Sequence, residues 1–69
     1  MNTTTTRPAR ILDTDSYDRV LIDVRGVLFW TETWSEGAVR MMLAADNAAE
    51  TILDRLYDAG IDYEVANEN

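Results

Sequence analysis

The chain has no cysteine, no histidine and no lysine. The missing cysteines exclude a disulfide staple and a thiolate metal site. The missing histidines remove the commonest general base and the commonest transition-metal ligand. Without lysine there is no Schiff-base chemistry and no lysine-bearing phosphate loop, and all six basic residues are arginines. Long apolar runs are absent too, so neither a membrane span nor a signal-peptide core is expected, and the chain reads as a soluble cytoplasmic protein. Positive charge is scarce: thirteen acidic residues face six arginines, for a net charge of −7 and an isoelectric point near 4.2. That balance argues against direct binding to nucleic acid or an anionic membrane and favours a basic partner.

What is present suits one small domain. Sixty-nine residues lie near the lower limit for a self-sufficient core, and the apolar share of 46% is that of a globular chain. Two tryptophans, three tyrosines, a phenylalanine and three methionines are hard to bury in so short a chain, which points to contact with another chain, a homodimer among the options.

Residues 1–8 (MNTTTTRP) are expected to form a flexible tail, 9–66 a single domain, and 67–69 a frayed end. Residues 9–12 read as a short edge strand and 13–18 as a loop, because Asp and Ser side chains compete with regular backbone pairing. Val20, Ile22 and Val24 alternate with Leu21 and Asp23, the period of a strand, and Val27–Trp30 is a second β-favouring run. Arg25-Gly26 between them is a hairpin signal that would set Val24 opposite Val27, Ile22 opposite Phe29 and Asp23 opposite Leu28.

Thr33-Trp34-Ser35-Glu36 has the form of a capping box, predicting a helix from about residue 34. At 100° per residue an apolar arc runs through Trp34, Ala38, Met41, Met42, Ala45, Ala48, Ala49, Ile52, Leu53 and Leu56. Its phase survives Asp46-Asn47, so either one helix or two near-collinear ones extend to about residue 59, where Gly60 stops them. One helix would be roughly 39 Å long and would overhang a five-residue strand of ~17 Å. Ile61, Tyr63 and Val65 then alternate as a final strand. The expected fold is α+β: a small antiparallel hairpin sheet with the helix or helices on one face and a C-terminal strand, in the order (β)ββαβ.

VLIDVRGVLFWTE (20–32) also resembles the first motif of haloacid dehalogenase-like phosphohydrolases, with Asp23, Gly26, Val27 and Leu28 matching and ILDRLYDAGIDYEVANEN (52–69) resembling the helix, turn and strand before that family's second motif. The resemblance implies Asp23 as a nucleophile toward phosphorus. It departs from the family at Arg25, which stands where the family has its acid–base aspartate, and at Ala66-Asn67, where a phosphate-binding Thr or Ser belongs. A lone aspartate does not assemble the metal and charge clamp that phosphoryl transfer needs. The expectation is therefore a protein that is not an enzyme, with no catalytic residue, no metal site and no cofactor. Asp13, Asp15 and Asp18 lack the glycine turn and bidentate glutamate of a calcium loop.

The candidate binding residues form two groups. Asp46, Glu50, Asp54 and Asp58 recur every fourth position, with Asp62 and Glu64 following. Like charges at that spacing repel, and Asp58 stands at a helix C-terminus, so the arrangement costs stability and is a candidate for function. Trp30, Trp34, Met41 and Met42 are the apolar group, suited to a partner or a dimer contact, with Trp34 placed in the core-facing arc. The leading expectation is a small acidic interaction module that binds and blocks a protein partner, for instance at a basic nucleic-acid-binding surface. In size, acidity and absence of catalytic side chains it resembles, in kind, phage-encoded inhibitors such as anti-CRISPR proteins. The alternatives are a reduced phosphohydrolase using Asp23 and a homo-oligomeric assembly subunit joined through its long helix.

Overall fold

The computed structural model describes residues 8–66. Apart from Pro8, the expected N-terminal tail lies outside the described residues, as does the expected frayed end at 67–69. Four strands and two helices follow in the order β1 (Arg10–Thr14), β2 (Val20–Val24), β3 (Val27–Thr31), α1 (Glu36–Ala45), α2 (Ala49–Asp58) and β4 (Tyr63–Val65). The strands form one antiparallel sheet with spatial order β1-β2-β3-β4. This is the expected α+β fold. β1 reaches two residues beyond the expected edge strand, because a bulge between Ile11 and Asp13 lets Asp13 and Thr14 keep pairing with Leu21 and Val20.

The central hairpin has the expected register, with Val24 paired to Val27, Asp23 to Leu28 and Ile22 to Phe29. Arg25 and Gly26 both have positive φ, 59° and 88°, the signature of a type I′ turn whose twist matches that of the strands. The Asp23 carboxylate accepts the Gly26 amide at 2.8 Å and fastens the turn. Where the backbone ladder would continue at Val20, a side chain takes over. Thr31 Oγ1 accepts the Val20 amide at 3.1 Å, donates toward the Val20 carbonyl at 3.4 Å and meets Ser35 Oγ at 2.6 Å.

That network explains why the capping box does not form. Ser35, not Thr33, is the N-cap residue, and its hydroxyl is spent on Thr31 and on the Glu32 carbonyl rather than on a helix amide. The helix therefore starts at Glu36, and Trp34 lies before it in a left-handed conformation with φ 66°. The expectation that Trp34 belongs to the core is overturned: the side chain is 75% exposed.

The two-helix alternative is the one realised, with the break at Asp46-Asn47-Ala48. α2 departs from the line of α1, since the Arg55 guanidinium donates to the Asp46 carbonyl at 2.6 Å and to the Met42 carbonyl at 2.7 Å. On one straight axis residues 42 and 55 would stand ~20 Å apart, well beyond the reach of an arginine. The Asp46 carboxylate holds the corner by accepting the Ala48 amide at 3.1 Å. The corner sits at the hairpin-turn end of the sheet, where Ala9 donates to the Asn47 carbonyl and Arg25 pairs with Glu50. α2 ends in a Schellman motif: Gly60 (φ 78°) donates to Tyr57, Ile61 donates to Leu56, and those last two side chains are buried together.

Both helices cover one face of the sheet. Val20, Ile22, Val24 and Phe29 meet Val39, Ala49, Ile52, Leu56 and Ile61, joined by Ala9. α1 is rolled away from the orientation that the apolar arc suggested. Val39 is its fully buried residue, and Met42 and Leu43 pack beside it, whereas Ala38, Met41 and Ala45 face outward. The reason is the late helix start: with Trp34 outside the helix, the three aliphatic side chains at 39, 42 and 43 set the buried direction. The opposite face of the sheet, with Leu21, Asp23, Leu28, Trp30 and Glu64, is uncovered by any other element among the described residues.

Candidate functional site

The acidic positions do not make one surface. Glu50, Asp54 and Asp58 lie with Thr51 and Tyr57 on the outward arc of α2, all exposed. Glu50 pairs with Arg25 at 3.5 Å, and Asp46, at the helix corner, pairs with Arg55 at 3.4 Å. Asp54 and Asp58 have no ion-pair partner among the described residues. Tyr57, 78% exposed, stands beside them, a residue that the charge pattern alone did not single out. Its position on the polar side of α2 was the available signal. Asp58 occupies the last helical position, against the macrodipole, and Arg55, the basic residue of that last turn, directs its guanidinium to the Asp46 and Met42 carbonyls instead.

Asp62 and Glu64 belong elsewhere. With Arg19, Trp30, Thr31, Glu32, Thr33 and Tyr63 they line a cleft of about 260 Å³ at the end of the sheet away from the hairpin turn. Backbone and side chain of Glu32 clamp Asp62: the Glu32 amide donates to the Asp62 carbonyl at 2.9 Å, and the Asp62 amide donates to Glu32 Oε1 at 3.0 Å. The Arg19 guanidinium lies 4.8 Å from the centre of the Trp30 ring, a cation–π arrangement. Asp15 positions it, accepting Arg19 Nε at 2.7 Å together with the backbone amides of Tyr17 and Arg19. Desolvation pushes the Asp15 carboxyl up, but the hydrogen bonds from Arg19 and from the two amides outweigh it and hold the group below the usual carboxylate range. Arg19, Asp15 and Glu32 were not legible as a unit, because their contacts join two loops and a strand.

The apolar candidates are also divided. Trp30 lies half-buried on the open face of the sheet, opposite Phe29 in the alternation, and pairs across the strands with Leu21 and Glu64. Trp34 and Met41 are each 75% exposed, whereas Met42 packs against the core. Tyr17 is exposed beside the turn that carries Trp34, whose amide donates to the Tyr17 carbonyl at 2.9 Å.

Asp23, to which the phosphohydrolase resemblance would give the nucleophilic role, has its carboxylate between the Gly26 amide and Arg10, the latter at 3.6 Å. Among the described residues no acidic side chains gather in a set that could hold a metal ion. No helix among them is long and apolar enough to cross a membrane.

The fold and its surfaces define a two-layer α+β domain with one open sheet face, an acidic helix and a helix whose two charges, Glu36 and Arg40, pair with each other. No protein-family model matches the chain, and neither a curated protein nor a solved structure is significantly similar to it.

Proposed function

We propose that this protein is a non-catalytic binding module whose α2 face docks on a basic surface of a protein partner and blocks that surface, as an inhibitor of a nucleic-acid-binding protein would. One observation carries the reading. Asp54 and Asp58 lie beside an exposed tyrosine and have no ion-pair partner among the described residues, whose five arginines are each paired with another carboxylate. The acids are thus offered outward at an energetic cost within α2, and a tyrosine next to the carboxylates supplies contact area with a polar tip. An arginine- or lysine-rich surface answers both features.

The test is capture from a cell extract with the wild-type chain and with an Asp54→Arg, Asp58→Arg double variant. A partner bound through this face is lost in the double variant and progressively released as salt rises, since exposed charges are screened beyond ~8 Å at physiological ionic strength. Addition of the wild-type chain should also displace nucleic acid from the purified partner. Capture that survives both charge reversals refutes docking through α2.

A further inference from the structure

We propose that the outward face of α1 is a two-fold interface between two copies of this chain. The face consists of Gly37, Ala38, Met41, Ala44 and Ala45, all exposed, with Trp34 at its N-terminal end. It bears no charged side chain. Its flanking residues, Glu36 and Arg40, neutralise one another at 2.7 Å. In a chain of net charge −7 this matters for the choice of occupant. Two copies meeting through α2 would oppose Asp54 and Asp58 to their own counterparts, whereas α1 lets two acidic molecules approach through a neutral strip.

The strip is complementary to itself. Met41 is its centre: Gly37 and Ala38 lie on one side, and Ala44 and Ala45 lie at matching spacing on the other. In an antiparallel pairing about Met41, positions 37 and 38 of one copy face 45 and 44 of the other, so small residues meet and the helices approach closely. The two Met41 side chains then fill the middle, and each Trp34 reaches the Ala48 end of the opposite helix. Such an isologous arrangement needs only one patch and closes on itself. The exposed parts of Trp34 and Met41 with the small residues between them offer roughly 500 Å² per copy, the lower range for a specific interface, which predicts micromolar rather than nanomolar association.

Backbone conformation supports a contact at this place. Trp34 is a bulky residue in the left-handed region, a costly geometry, and it is held there by hydrogen bonds that the Trp34 amide donates to the Tyr17 carbonyl and the Glu36 amide to the Asp18 carbonyl. The result is an indole directed to solvent, where an isolated chain gains nothing from it. The proposal is independent of the α2 reading, because it places the contact on the other helix and stands whether or not α2 binds a partner.

The absence of native cysteine makes the test direct. Sedimentation equilibrium of the wild-type chain at roughly 50 µM should give twice the monomer mass of 7.8 kDa, and Met41→Arg should give the monomer with an unchanged circular dichroism spectrum. A short bismaleimide should link Met41→Cys into a covalent dimer at least tenfold faster than Asp54→Cys. A monomeric wild-type chain, a Met41→Arg variant that remains dimeric, or equal linking at the two cysteines would each overturn the proposal.

Discussion

Replacing Arg55 by methionine should destabilise the domain by about 2 kcal/mol. Arg55 is three-quarters buried, with 26% of its side chain exposed, and donates at 2.7 and 2.6 Å to the carbonyls of Met42 and Asp46 at the C-terminal end of α1. The Met42 carbonyl already accepts the Asp46 amide at 3.0 Å, so Arg55 bonds it as a second donor, while the Asp46 carbonyl lies past the last helical turn; a cation at that end also answers the macrodipole. Hydrogen bonds from a charged donor contribute ~1.5–3 kcal/mol each when buried; partial exposure of this pair brings their joint contribution to about 2 kcal/mol. The Asp46 carboxylate at 3.4 Å adds little, since exposed ion pairs are worth ~0–1 kcal/mol. Methionine keeps the aliphatic stem, so the loss measures the guanidinium. A domain of this size has a stability of only ~3–9 kcal/mol, and a shift of 1 kcal/mol moves its melting point by ~4–8 °C. Urea unfolding followed by tryptophan fluorescence, with Asp46→Asn alongside, separates the carbonyl bonds from the ion pair. If Arg55→Met costs no more than Asp46→Asn, below ~0.5 kcal/mol, the guanidinium does not hold the helix corner and the argument for it fails.

Three further perturbations probe other parts of the structure. Thr31→Val leaves the buried Val20 amide without its acceptor and should cost ~1–3 kcal/mol in urea unfolding, whereas Ser35→Ala, which leaves Thr31 in place, should cost less. Arg25→Asn should stabilise the hairpin by about 0.5 kcal/mol, because asparagine suits the left-handed turn position and the lost Glu50 pair is exposed; a lower unfolding midpoint would contradict this. Asp15 is held below its ordinary pKa in the folded chain, so its contribution is full above the unfolded-state value and is lost as pH falls through the folded one. Asp15→Asn should therefore flatten the acid side of the stability–pH profile, which thermal melts between pH 7 and about pH 3 would reveal.

Local chemistry made the sheet legible and tertiary contacts hid the rest. The β2–β3 register followed from alternation around Arg25-Gly26, and the end of α2 followed from Gly60, because both depend on a backbone conformation that few residues adopt. The start of α1 did not. Thr33 and Glu36 satisfy the capping pattern, yet Ser35 is drawn into the buried Thr31 network, a contact that no spacing rule contains. Periodicity likewise located the apolar residues of α1 but not the side that the sheet would take, which Val39 decides. The sequence leaves a break near Asp46 as one of two readings. The change of direction there is not legible, because the apolar phase runs through it unbroken, while Arg55 and the Asp46 carboxylate bend the backbone. At the candidate site, Glu50, Asp54 and Asp58 of the expected row lie on α2 while Asp46 falls at the corner before it, and Asp62 and Glu64 belong to a different surface because β4 lies across the sheet from α2's outward arc.

The order of the strands sets a hierarchy of opening. β1, β2 and β3 are joined by short connections, whereas β4 pairs with β3 from more than thirty residues further along, through three exposed residues at the edge of the sheet. Its closure cost is the largest and its reward the smallest, so β4 docks last in folding and leaves first. Asp62, Tyr63 and Glu64 are also one wall of the cleft over Trp30. The cleft thus lives only as long as that short ladder: amide exchange at Glu32 and Ala66, which report on it, should outrun exchange at Ile22, and whatever slows the two would have to be holding the cleft shut.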